Sequence, residues 1–145
     1  MGKKKVVICG SMYFVEQMSE WQKKLESLGF EVYTPVLFDF HKIRDEEGDL
    51  ERFEEYKRRE TKNHFEKVNI ADILLILNYD KNGKRNYIGG NTFAEIAYAV
   101  ALNLCHGKSI EIYTVNPLPE YVPYYEELHA WQVKQFNLEQ LTNNE

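Results

Sequence analysis

Ile73, Leu74, Leu75, Ile76 and Leu77 are five consecutive apolar residues with no polar residue among them, and a strand with that composition has both faces turned toward apolar neighbours. Strands buried on both sides belong to parallel sheets covered by helices, and parallel strands need long crossover connections. The run therefore asks the rest of the chain for further short strands separated by amphipathic helices.

The chain supplies both. Val6 to Cys9 is a second apolar, mostly β-branched run, Phe30 to Thr34 alternates until Pro35 stops it, and Ser109 to Val115 reads as a fourth strand. Between them, Val15, Met18, Trp21, Leu25 and Leu28 recur at helical steps ahead of Gly29. Leu50 to Ile70 is highly charged, with Leu50, Phe53, Tyr56, Phe65 and Val68 as its apolar stripe. Thr92 to Leu104 places Phe93, Ile96, Ala97, Val100, Ala101 and Leu104 on one face and stops before Gly107. Leu128 to Phe136 is expected to add a weaker strand or helix.

This order predicts an α/β fold: a flavodoxin-like, Rossmann-like doubly wound parallel sheet of four to five strands, ordered 2-1-3-4 before any fifth strand. A length of 145 residues with 43% hydrophobic composition fits one domain, residues 1–145.

A formal charge of -5, with basic runs only at Lys3-Lys4-Lys5 and Lys57-Arg58-Arg59, argues against a nucleic-acid polymer as partner. Val6 to Cys9 is too short for a signal peptide or a membrane span, so a cytoplasmic location without membrane attachment is expected. Cys9 and Cys105 form no CxxC pair and have no His at ligand spacing, which reads as buried free thiols in a reducing compartment. The glycines fit neither a Walker A loop nor GxGxxG, and no cofactor is expected. Asp39, His41, Asp80 and Glu95 would be the candidates for a metal-dependent hydrolase, but their spacing follows no ligand pattern, and no metal is expected.

In such sheets ligands bind beyond the carboxyl ends of the strands where strand order reverses, here between the first and third strands. Gly10 to Phe14, Asn78 to Asp80 and Gly89 to Glu95 converge there. Gly10-Ser11 leads from strand to helix, where Ser11 either meets a ligand or only initiates the turn. In Gly89-Gly90-Asn91-Thr92 the glycines allow close backbone approach, with Asn91 or Thr92 as helix cap. Glu95 is expected in the first helical turn, kept ionised by the helix dipole, and reads either as a nucleophile or as an ordinary first-turn acid. Asn78 and Asp80 are the substrate-binding candidates on the central strand. The basic loop Lys81 to Ile88 is suited to attracting a phosphate or another anion.

Cys9-Gly10-Ser11, Asn69 to Leu75 and Gly89-Gly90-Asn91-Thr92-Phe93-Ala94-Glu95-Ile96-Ala97-Tyr98-Ala99 together resemble the nucleoside 2-deoxyribosyltransferase-like superfamily, which includes nucleoside 5′-monophosphate N-glycosidases. The resemblance runs from about Val6 to Pro119. It implies that Glu95 attacks the anomeric carbon of a (deoxy)ribosyl group and forms a covalent intermediate. It also implies that Gly10, Ser11, Gly89, Gly90, Asn91 and Thr92 bind the sugar or its 5′-phosphate. Tyr13 is the aromatic expected to stack on the base or orient Glu95. Where the family carries an aspartate before the Ala71-Asp72 pair this sequence has His64, a residue able to exchange a proton near neutrality but expected, on so charged a helix, to be half-exposed. Asp72 is expected to pair structurally.

Two classes of function follow. One is an enzyme that cleaves or transfers the N-glycosidic bond of a small-molecule nucleoside or nucleotide. The other is a non-catalytic nucleotide or nucleotide-sugar sensor on the same fold. The aromatic tail Tyr121, Tyr124, Tyr125 and Trp131 reads either as ordinary core or as a surface that packs against a partner subunit, and a homodimer is expected.

Overall fold

The computed structural model describes residues 2–139. Five strands, β1 (Lys5–Gly10), β2 (Glu31–Tyr33), β3 (Ile73–Leu77), β4 (Glu111–Thr114) and β5 (Lys134–Gln135), form one sheet in the order β2-β1-β3-β4-β5. Every neighbouring pair is parallel, and β1 runs beside β3 in a register that sets Val6 against Ile73 and Gly10 against Leu77. The flavodoxin-like reading holds, with the fifth strand reduced to two residues at an edge.

Helices α1 (Val15–Ser27), α2 (His41–Asp45), α3 (Leu50–Asn69), α4 (Gly90–His106) and α5 (Tyr125–Ala130) make the connections. Alternation along the strands divides the core. Val7, Cys9, Leu74 and Ile76 face Val68 of α3 and Ile96, Ala99 and Leu102 of α4. Val6, Ile8, Ile73, Leu75 and Leu77 face Met18 and Leu25 of α1. Each central strand is thus sealed on both sides, as its continuous apolar run requires. A smaller cluster of Phe40, Ile43 and Phe53 fastens α2 to α3.

The helices differ from expectation at several positions. The fourth helix starts at Gly90, and its buried side is Thr92, Glu95, Ile96, Ala99, Val100 and Leu102, leaving Leu104 78% exposed. Apolar residues lie all around this helix, so its sequence says little about rotation, and packing of the small Ala99 side against the sheet settles it. Leu50 is exposed at the start of α3, while His64, expected half-exposed, is buried beside Val68. Cys105 is exposed, because it falls on the outer side of α4; Cys9 is buried as expected.

Candidate active site

A cavity of about 240 Å³ opens at the carboxyl end of β1 and is bordered by Lys81 and Tyr87 of the loop that follows β3. One wall begins at Gly10, where an added Cβ would stand 3.0 Å from the Leu77 carbonyl oxygen, so a side chain would push β1 off β3. Ser11 follows and caps the short 3-10 turn Met12–Phe14, its hydroxyl accepting from the Tyr13 amide at 3.1 Å. The same hydroxyl accepts from Lys81 Nζ at 3.0 Å. Lys81 is aimed there by a tight turn in which Asn82 and Gly83 both have positive φ, the geometry of a type I′ hairpin loop.

The opposite wall is the start of α4. Gly89 is its N-cap in an extended conformation, and no side chain among the described residues caps the helix. The first N–H groups of the helix therefore lack the usual side-chain partner at the cavity, where Gly89, Gly90, Asn91 and Thr92 all form part of the lining. Asn91 and Thr92 lie inside the first turn rather than capping it. Gly89 leaves room for the Tyr87 hydroxyl, which would be 2.7 Å from a Cβ there.

Glu95 and His64 reach the same cavity from α4 and α3, and Cys9 of β1 closes a compact group with them. Cys9 Sγ lies 3.3 Å from His64 Nε2, and His64 Nε2 lies 3.7 Å from Glu95 Oε2. All three side chains are buried. Burial holds the imidazole neutral, lowering its pKa to about 4, with Lys67 pushing the same way and the Ile8 backbone opposing. Among the described residues, Nδ1 of His64 has no hydrogen-bond partner. Burial likewise raises the Glu95 carboxyl to about 8, against a smaller lowering from the Cys9 thiol. The thiol itself is pushed well above its ordinary value by burial and then by Glu95. The expectation that the helix dipole keeps Glu95 ionised is thereby corrected. With α4 starting at Gly90, Glu95 falls beyond the first turn, and desolvation outweighs a dipole contribution of at most about 1 kcal/mol.

Of the remaining candidates, His41 also lines the cavity, whereas Tyr13, Asn78 and Asp80 do not. Tyr13 is 63% exposed and outside the cavity lining, with its ring edge-on to Phe14 at 5.8 Å and 5.9 Å from the Lys81 ammonium. Asn78 is fully buried and used structurally: its amide donates to the Asn116 and Pro117 carbonyls at 3.0 and 3.1 Å and accepts from the Asn116 amide at 2.8 Å. Asp80 accepts from the Asn86 amide at 2.9 Å and borders a separate shallow depression. Asp72 accepts from the Lys5 amide at 2.7 Å, the structural pairing expected of it. Tyr124 and Trp131 stack on Phe93 within the chain.

Sequence reasoning missed Cys9 as a neighbour of Glu95. It also missed Lys57, Glu60, Thr61 and Lys67, which line the cavity with His64. Their separations of three, four or seven residues from His64 were the available signal, since they mark one face of a helix.

A flavodoxin-like α/β domain, with a glycine-bordered cavity at the switch point and a buried carboxyl on its floor, is the class that fold and geometry define. No protein-family model and no curated protein matches the sequence. Among solved structures, the chain is similar to the 2-deoxyribosyltransferase of the psychrotolerant bacterium Bacillus psychrosaccharolyticus. The match has a TM-score of 0.57 and 16% identity, covering 96% of this chain and 90% of that one. The two share a fold over nearly their whole lengths. Among the described residues, no helix is long and apolar enough to cross a membrane.

Proposed function

We propose that this protein cleaves or transfers the N-glycosidic bond of a nucleoside or nucleoside 5′-monophosphate, with Glu95 as the nucleophile. The observation that carries the reading is the buried Glu95 carboxyl on the cavity floor, in a fold shared with a 2-deoxyribosyltransferase. In its ionised form Glu95 attacks the anomeric carbon; the bond to the base breaks, its electron pair leaves on the base, and the base takes up a proton. Water or a second base then displaces the glycosyl ester and regenerates the carboxylate. Desolvation that makes the free carboxylate costly also strengthens its attraction for an oxocarbenium-like charge, so the site favours the transition state over the empty protein.

Gly10, Ser11, Gly89, Gly90, Asn91 and Thr92 bind the sugar and any 5′-phosphate in this reading. Lys81 and the uncapped start of α4 supply positive charge for that phosphate. His64 takes the position of the expected aspartate and orients Glu95. A homodimer and a cytoplasmic location complete the proposal.

The sensor reading draws on the protonated resting state of Glu95 and on His64. The experiment separating the two incubates wild type and Glu95→Gln with a panel of nucleosides and 5′-monophosphates and follows free base by chromatography. Base release that falls by about 10³-fold in the variant supports the enzyme, on the scale of losing a transition-state charge partner. Full release in the variant removes Glu95 as nucleophile, and ligand-induced thermal stabilisation without release from any substrate favours the sensor.

A further inference from the structure

The buried Cys9, His64 and Glu95 group has a second chemical reading. A thiol, an imidazole and a carboxyl converge from β1, α3 and α4, and their ligand atoms all lie within 4.8 Å of one another. We propose that Cys9, His64 and Glu95 bind one borderline-soft divalent metal ion of the zinc class. The geometry points there first. Zinc held at ordinary Zn–S, Zn–N and Zn–O lengths with tetrahedral angles needs donor atoms about 3.3 to 3.6 Å apart. The sulfur to Nε2 and Nε2 to Oε2 separations are 3.3 and 3.7 Å, so small side-chain movements bring the donors onto one ion.

Charge favours the same conclusion. On binding, the Cys9 thiol and the Glu95 carboxyl each release one proton to solvent, and the already neutral His64 gives the Nε2 lone pair without losing one. Two positive charges then face one thiolate and one carboxylate, and the buried centre is neutral overall, which removes the main cost of ionising either acid alone. His64 and Glu95 border the cavity, so the fourth coordination position opens toward it, the arrangement of a zinc ion that keeps water or a small ligand. The ion would hold the Glu95 electron pair that glycosyl transfer uses, so the ion-loaded and reactive forms exclude each other. The metal proposal rests on donor geometry and does not need base release to be observed.

The test begins with Cys105→Ser, which removes the exposed thiol and leaves Cys9 as the only cysteine. Chelator-stripped protein is titrated with cobalt(II), and the thiolate-to-cobalt charge-transfer band is followed. The expected result is a band that saturates at one equivalent, is displaced by zinc, and disappears when Cys9→Ser is added. Affinity is expected to fall about 100-fold or more in His64→Gln and in Glu95→Gln, which keep Cys9 and test the site should Cys9→Ser not fold. A band that survives Cys9→Ser, the absence of any band in the parent protein, or unchanged affinity in both His64→Gln and Glu95→Gln overturns the proposal.

Discussion

The buried carboxyl makes folding stability a readout of its own protonation. In the folded chain Glu95 holds its proton up to about pH 8, against an ordinary value of 4.5. Between those limits the unfolded chain has released the proton and the folded chain has not, so stability falls as pH rises, at about 1.4 kcal/mol per pH unit. His64 acts in the opposite sense. It stays neutral in the fold down to about 4, against an ordinary 6.5, so in that interval the unfolded chain binds more protons and stability rises with pH. From 4.5 to 6.5 the two slopes nearly cancel. Above 6.5 Glu95 acts without His64 and lowers stability by about 2 kcal/mol by the time pH reaches its folded value. Replacement by the neutral isostere Glu95→Gln removes only the first contribution. The unfolding free energy of the variant minus that of wild type should climb through this whole interval and level off above about pH 8, by a total of roughly 5 kcal/mol at most. Urea unfolding at intervals from about pH 5 to about pH 9, with chelator present, measures that difference directly. A difference that does not change with pH would mean that Glu95 titrates alike in folded and unfolded chains, refuting the desolvation argument.

Asn78→Ala leaves the Asn116 amide and two carbonyls without their buried partner. It should lower the unfolding free energy by about 2 to 3 kcal/mol in urea titration, whereas a loss below roughly 0.5 kcal/mol would show that water replaces the side chain freely. Gly10→Ala puts a methyl group 3.0 Å from the Leu77 carbonyl oxygen and 3.3 Å from Leu77 Cβ. A cost of about 1 to 3 kcal/mol and a matching fall in Tm are expected, and an unchanged Tm would mean the β1–β3 contact relaxes without cost. Lys81→Met removes the ammonium held at Ser11. Under the glycosyl-transfer reading, KM for a nucleoside 5′-monophosphate should rise about tenfold while KM for the nucleoside stays constant, and equal changes for both would remove Lys81 from phosphate binding.

Local composition was enough to order the sheet. Ile73 to Leu77 and Val6 to Cys9 declare doubly buried strands, the helical spacing of Met18, Leu25 and their neighbours declares a crossover, and right-handed connections leave few arrangements. Once β1 and β3 adjoin with helices on both faces, the crevice at their ends follows, which is why Ser11, the Gly89-Gly90 loop and Glu95 could be brought to one place without coordinates. Asn78 and Asp80 show where that reasoning stops. Both lie at or just past the end of the right strand, but buried Asn78 is taken up by loop backbone groups that need a hydrogen-bond partner, and exposed Asp80 accepts from the Asn86 amide outside the cavity.

The sequence carries strand and helix identity because these depend on neighbours two to four residues away. The Cys9, His64 and Glu95 cluster depends on three elements distant along the chain, on the rotation of α4, and on the turn of α3 that faces the sheet. Protonation is further removed still: a helix dipole can be read from position, but the desolvation that keeps Glu95 protonated and His64 neutral comes from every atom packed around them. It exists only once the chain has closed over the site.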